Sequence, residues 1–279
     1  MFTGRLSVVM PAYNESASIG TNIAETVKTL SGFGYDYEII VVDDGSVDDT
    51  HSCAAETALR YGPTVRVVRY DENRGKGGAL ICGTTYATGE YIVFLDADME
   101  LHPEQLPFLL EVLAARGADV VVGSKRHPLS NVQYPTIRRL YSCVYSALVW
   151  LLFGLPLRDT QTGLKVFRRQ VLQDVFPRVL VKRFAFDIEV LANAHRLGYR
   201  IVDSPVTLRF TRRYGRITLN DIWTILIDTL AIFYRLRVRR YYDRVPSCSL
   251  VALRHQLHSR ELLPELKAPP EHKQAAAVP

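Results

Sequence analysis

Over the first 125 positions, short apolar runs alternate with stretches of helical hydrophobic period. The runs Leu6–Met10, Ile39–Val42, Tyr91–Leu95 and Val120–Val122 are rich in β-branched residues and lack strict polar alternation. Strands covered on both faces of a parallel sheet read this way. Val65–Tyr70 is a weaker fifth strand. Between the runs, Ser16–Leu30, Asp49–Tyr61, Lys76–Ala87 and Pro103–Arg116 read as helices. Ser46, three residues before Asp49, suits a capping box for the second of these. The alternation predicts an α/β fold with a right-handed, doubly wound, mostly parallel sheet.

The residues that follow the strands carry the chemistry. Met10 leads to Pro11, Ala12, Tyr13, Asn14 and Glu15, and Val42 to Asp43, Asp44, Gly45 and Ser46. Leu95 leads to Asp96, Ala97 and Asp98, and Val122 to Gly123, Ser124, Lys125 and Arg126. Open α/β sheets bind ligands at the carboxyl ends of their strands, so these four clusters converge on one edge. Asp96 and Asp98 can share one divalent cation, Mg²⁺ or Mn²⁺, with Glu100 as a third ligand. The competing reading is a solvated turn. Asn73 to Gly78 (NRGKGG) fits neither common phosphate-loop pattern, because Gly77 follows Lys76 and Leu80 stands where a third glycine belongs. A basic loop entering a helix N-terminus still suits an anionic ligand.

Beyond position 126 the alternation ends. A long helix is expected over Thr136–Phe153, strand character over Leu164–Phe167, and a helix over Asp187–Leu197. A strand over Val206–Phe210, a basic loop over Thr211–Arg216 and an apolar helix ending near Arg240 follow. Arg138 and Ser142 lie four apart on one helix face. With Lys125 and Arg126 they can surround a phosphate, or simply form an exposed basic helix start. Domain limits are expected at 1–240 for one catalytic domain, with halves at 1–125 and 126–240, and at 241–279 for a largely disordered tail with a short helix near 249–262.

Composition adjusts this picture in two places. The chain of 279 residues carries 34 Lys and Arg against 29 Asp and Glu, a net charge of +5. Residues 205–244 hold nine Arg and three Asp, so the whole surplus sits there. Arginines flanking an apolar helix suit an anionic membrane surface better than nucleic acid. The uncharged run Leu140–Leu157 has a helix that stops near Phe153, about 21 Å long and short of a hydrocarbon core of about 30 Å. Ile222–Leu236 is interrupted by Asp228. Neither is a convincing span. Cys53, Cys82, Cys143 and Cys248 form no paired spacing, which excludes a disulfide scaffold or zinc ribbon and fits reduced thiols. No secretory signal is evident, so a cytoplasmic protein, peripheral on the cytoplasmic face of a membrane, is expected.

Taken in order, PAYNE (11–15), VVDDGS (41–46), NRGKGGA (73–79), LDAD (95–98) and GSKR (123–126) resemble the inverting family 2 glycosyltransferases of GT-A fold. RDTQTGLKVF (158–167) and RFAFDIEVL (183–191) are similar to segments of dolichyl-phosphate (polyprenyl-phosphate) β-glucosyltransferases and dolichyl-phosphate mannosyltransferases. The likeness covers roughly residues 5–240. It implies a Rossmann-like GT-A domain with C-terminal amphipathic helices at the membrane interface. It implies that Pro11, Ala12, Tyr13, Glu15 and Asp43 or Asp44 hold base and ribose, with Lys76 near the nucleotide. Asp96, Ala97 and Asp98, with Glu100, match the metal and diphosphate site. Lys125, Arg138 and Ser142 match positions for a lipid phosphate, and Arg212, Arg213 and Arg216 a loop over the diphosphate. Lys125 stands where the family usually has Arg, which loses bidentate phosphate binding there.

The activity implied is transfer of a hexose, with UDP-glucose the favoured donor, to a polyprenyl phosphate. An acceptor that is already anionic needs no general base, and Asp96, Asp98, Arg138 and Asp159 are the expected catalytic set. Asp159, and Asp187 with Glu189, are the spare carboxylates; a loop role and a helix N-cap are their structural readings. Transfer to a sugar or protein hydroxyl, which needs a base, is one alternative. A non-catalytic, membrane-associated nucleotide-binding scaffold is the other.

Overall fold

The structure, a computed structural model, describes residues 3–132, 136–181, 185–208 and 219–258, and the side chains of 136–142 and 219–222 fall outside that description. Seven strands form one sheet in the order β3-β2-β1-β4-β6-β5-β7. They are β1 (Leu6–Ala12), β2 (Tyr37–Asp44), β3 (Val65–Tyr70), β4 (Tyr91–Phe94), β5 (Val120–Ser124), β6 (Lys165–Arg168) and β7 (Ile201–Pro205). β1 pairs in parallel with both β2 and β4. β6 alone among them runs antiparallel, inserted between β4 and β5.

The helices are α1 (Ile19–Gly32), α2 (Thr50–Leu59), α3 (Lys76–Tyr86), α4 (Leu106–Ala115), α5 (Thr136–Phe153), α6 (Arg169–Val175), α7 (Phe186–Arg196), α8 (Leu219–Phe233) and α9 (Leu250–His258). Along β1 the pleat sends Leu6, Val8 and Met10 to a core shared with α1, α2 and α4. Val9 faces the opposite core, built with α3 and the C-terminal helices. Both faces are therefore apolar, which is why these strands read as continuous hydrophobic runs. The chain crosses from one face to the other between β1 and β4, and ligands bind outside such a switch point.

Several expected boundaries move. α1 starts at Ile19, because Glu15 to Ser18 form a turn with the Ser18 and Ile19 amides on the Glu15 carbonyl. The last strand is Ile201–Pro205, ahead of the expected Val206–Phe210. Its Asp203 and Pro205 disguise it, but β7 is an edge strand, where Pro is tolerated. Thr207 makes only an isolated bridge to Asn131, and 209–210 lie outside the described residues. The capping box does not form: Ser46 Oγ accepts the Asn14 amide, and Asp48 receives the Thr50 amide.

The expected tail also changes. Tyr242, Leu250 and Leu253 are buried in the same core as α3 and α7. Arg254 on α9 donates to the Thr85 carbonyl and lies 4.3 Å from the Tyr86 ring centroid. The packed unit thus runs through His258, while 259–279 lie outside the described residues. Among the described residues no helix is long and apolar enough to cross a membrane.

Candidate active site

The ends of β1, β2 and β4 and the start of α3 meet at the switch point. Pro11, Ala12, Tyr13, Glu15, Asp44, Asn73, Gly75, Lys76, Asp96, Ala97 and Asp98 line a cavity of about 270 Å³ there. The first two loops are laced together through side chains. Val47 N–H donates to Asn14 Oδ1 (3.0 Å), Glu15 N–H to Thr50 Oγ1 (2.7 Å) and Ser16 N–H to Asp48 Oδ2 (3.2 Å). Gly45 has φ +67°, and a Cβ there would come within 2.7 Å of the Asn73 nitrogen. The loop entering α3 can therefore press onto the end of β2. Asp44 then accepts the Arg74 amide at 2.8 Å, tying the basic loop to the sheet.

Asp43 does not join the lining. It is fully buried, with Oδ1 accepting the Ser46 amide at 3.1 Å and Oδ2 lying 3.6 Å from Arg69 Nε. Of the two aspartates only Asp44 faces the cavity.

Asp96 and Asp98 sit on a turn held from behind by α1, where Asn22 Nδ2 donates to the Ala97 carbonyl at 2.7 Å. Lys76 Nζ reaches both Asp96 oxygens, at 2.6 and 2.8 Å. On its other side, Asp96 abuts Gly163 so closely that any Cβ at 163 would overlap the carboxylate. Glu100 does not complete a three-carboxylate set. Its Oε2 pairs with Lys125 Nζ at 3.4 Å, and among the described residues no three metal-ligating side chains converge. A turn amide bond from Glu100 to Asp98 Oδ1 (3.1 Å) fixes that geometry.

Asp159 is likewise an organiser. It accepts the Lys125 amide (3.1 Å), the Gln161 amide (3.1 Å) and the Thr162 hydroxyl (2.8 Å). This leaves it orienting the Lys125 loop, and the expected catalytic role has no geometric support. Arg138 and Ser142 lie on α5, with side chains outside the described residues, as are Arg212, Arg213 and Arg216 altogether.

A second cavity of about 480 Å³ continues from the first, sharing Tyr13, Asn73, Gly75 and Lys76 and adding Gln161, Phe186 and Asp187. Asp187 is not an N-cap; that position belongs to Ala185. Its Oδ1 pairs at 2.8 Å with Lys165, which is 1% exposed and also donates to the Thr162 carbonyl. Glu189 is fully buried and accepts the Leu180 and Val181 amides at 2.9 and 2.7 Å, beside Tyr242 and Arg235. It is structural.

Residues 7–176 match the family model "Glycosyl transferase family 2". The chain belongs to this family. It is a glycosyltransferase of GT-A fold. Dolichyl-phosphate β-glucosyltransferase from Drosophila melanogaster is 36% identical over 235 residues, 79% of this chain and 71% of that protein. The Homo sapiens protein of the same name is 36% identical over 84% of this chain and 76% of its own length. Glucosyl-3-phosphoglycerate synthase from Mycobacterium tuberculosis, solved with Mn²⁺, UDP-glucose and phosphoglyceric acid, superposes with a TM-score of 0.61 at 23% identity, covering 83% of this chain and 79% of that one.

Charges at the glycosyltransferase site are matched in pairs. Burial opposes the ionisation of Lys76, but Asp96 and then Asp187 outweigh it and raise the ammonium pKa. Burial would likewise raise Asp96, and Lys76 overturns this and lowers it. For Asp98, burial and then the Asp96 charge outweigh the pull of Lys76 and push the carboxyl up to about 6. Burial lowers Lys165, and Asp187 restores part of its charge preference.

Sequence reasoning missed Gln161, Phe186, Gly163 and Lys165 as site residues. One signal was available: Lys165 is a lysine inside an otherwise apolar strand, LKVF, where burial without a partner is costly.

Proposed function

We propose that this glycosyltransferase moves glucose, or a closely related hexose, from its UDP conjugate to a polyprenyl monophosphate at the cytoplasmic face of a membrane. The carrying observation is the pair of continuous cavities at the switch point. One is floored by Asp44, Lys76, Asp96 and Asp98, the other by Lys76, Gln161 and Asp187. A nucleoside diphosphate suits the first and its sugar the second. The relatives named dolichyl-phosphate β-glucosyltransferase support transfer of glucose.

Asp96 and Asp98 offer hard oxygens two residues apart on the wall of the first cavity. That donor set fits Mg²⁺ or Mn²⁺ whose remaining ligands are diphosphate oxygens and water. When bound, the ion neutralises the charge growing on the leaving diphosphate. Tyr13 offers an exposed ring for a nucleobase, and Lys76 a cation for the phosphates.

For the acceptor, the described carboxylates argue against a hydroxyl. Asp159 is held by three donors, Asp187 by Lys165, and Glu189 is buried away from the cavity. A phosphate monoester, with a second pKa of about 6, brings its own nucleophilic oxygen. That oxygen attacks the anomeric carbon, the bond to the β-phosphate oxygen breaks, and the nucleoside diphosphate departs with the electron pair. One displacement inverts the anomeric centre. Lys125, Arg138 and Ser142 are the groups assigned to the acceptor phosphate, and Arg212, Arg213 and Arg216 to the diphosphate. Alignment and charge neutralisation carry the rate.

The test combines purified protein, labelled UDP-glucose, polyprenyl phosphate and Mn²⁺ or Mg²⁺. Label should enter an organic-extractable product. Label that stays aqueous with both ions, or passes only to a hydroxyl acceptor, overturns the reading.

A further inference from the structure

Two lysines and two aspartates meet behind the cavities, and their pairing is not dictated by distance along the chain. Lys76 enters from the start of α3 and takes Asp96. Lys165 enters from β6 and takes Asp187. Yet Lys76 and Asp187 line the same 480 Å³ cavity. Asp187 therefore has two candidate cations and Lys76 two candidate anions.

The segment that delivers Lys165 settles the choice. Lys165 Nζ is bound to the Thr162 carbonyl within its own turn. The intervening Gly163 is the wall against which Asp96 rests. One four-residue strap thus sets the back of Asp96 and supplies the partner of Asp187. Removing the Lys165 charge would leave Asp187, itself mostly buried, as an uncompensated carboxylate. A buried charge without a partner recruits another or destabilises the site. Among the described residues, Lys76 is the cation on the wall of that cavity.

We infer that Lys165 is a positioning residue that apportions charge across the site: by satisfying Asp187 it keeps Lys76 on Asp96, beside the diphosphate position. Lys165 itself touches no substrate. The inference rests on the proposed donor site for its functional consequence, but its structural core does not.

The variant Lys165→Met keeps the stem and removes the charge. Its crystal structure should place the Lys76 ammonium within ion-pair distance of Asp187 and away from Asp96. Calorimetric titration with UDP-glucose and Mn²⁺ should give affinity weakened by about tenfold or more, the scale of one lost charged hydrogen bond. The double variant Lys165→Met with Asp187→Asn removes the competing anion. It should return Lys76 to Asp96 and restore donor affinity to within about threefold of the parent. A purely structural lysine also allows recovery in the double variant but leaves Lys76 on Asp96 in Lys165→Met, so the position of Lys76 in the single variant separates the two. The inference is overturned if Lys76 stays on Asp96 in Lys165→Met, or if the double variant fails to recover. Should Lys165→Met not fold, Lys165→Gln, neutral but able to hydrogen-bond Asp187, decides by the same readout: Lys76 moved to Asp187 supports the inference and Lys76 on Asp96 refutes it. If the parent protein binds no nucleotide sugar, the proposed function fails while the position of Lys76 still judges this inference.

Discussion

At Gly163 the fit is tight enough to act as a specificity for glycine. Asp96 occupies the volume where any Cβ would stand. Gly163→Ala should shift that carboxylate by an ångström-scale distance and lower turnover by on the order of 10²-fold, as small misplacements of reacting groups do. Steady-state rates with unchanged circular dichroism would check this; near-normal activity would show that the wall is not needed. Asp98→Ala should abolish metal-dependent turnover without loss of folding, since burial and Asp96 already oppose its charge. A fully active Asp98→Ala would remove the metal assignment.

Asp48 is the residue whose titration bears on stability. Burial works against its charge, but Thr50 and Ser16 overcome this and bring its pKa down to about 2. A carboxyl lowered in the folded state stabilises it above the ordinary value of about 3.9, and that contribution is lost as pH falls towards about 2. Asp48→Asn should therefore be less stable than the parent near neutrality. The gap should close on acidification through that window in urea titrations run at several pH values. A gap independent of pH would mean that the loops do not depend on the Asp48 charge.

Elements join where the sequence reads as a tail. α9 packs on α3, and Arg254 combines a bond to the Thr85 carbonyl with a stack on Tyr86. Arg178, buried, donates to the Tyr242 carbonyl at 3.1 Å. The C-terminal segment is thus part of the core behind the donor site. Arg254→Ala should cost about 1–2 kcal/mol in urea denaturation. Truncation after residue 240 should cost more, by exposing Leu236 and the cavity left by Tyr242. Equal midpoints for the full and truncated chains would refute this. The short helix expected near 249–262 is present as Leu250–His258, but its docking was not legible, because Pro and Ala density after 263 colours the whole region.

Across the whole molecule, α5 and α8 form a pair with two unlike faces. Inward, Tyr145 and Thr229 hydroxyls meet at 3.0 Å and Phe153 and Phe233 pack edge-on at 6.3 Å. Outward, Trp150 and Trp223, both 63% exposed, stand with Leu151, Ile227 and Val238. Arg237, Arg239 and Arg240, all exposed, follow α8 directly in the chain. An apolar strip beside cations fits the surface of an anionic bilayer. Replacing both tryptophans with Ser should weaken sedimentation with anionic vesicles by about tenfold or more, while donor binding is unchanged. Vesicle binding that survives the change, or that ignores salt, would rule this face out as a lipid-binding surface.

By itself the sequence determined the strands β1 to β5, the helices between them, and the polar residues at the strand ends. These follow from local rules: short β-branched runs, helical period, and the chain's need to turn where a strand stops. It therefore also located Tyr13, the Asp43–Asp44 pair, Asp96 and Asp98 at one edge, while Lys76 was placed near them by the family resemblance. Only the tertiary structure decided which partners they take. β6 enters the sheet antiparallel, some 70 residues after β4, and sets Gly163 against Asp96 and Lys165 against Asp187. The same packing assigned Asp43 to the buried side and Asp44 to the cavity, and bound Glu100 to Lys125 instead of the Asp96–Asp98 turn. Those outcomes depend on register and on competition between charges brought together by the sheet, and no pattern in a single stretch of chain encodes either.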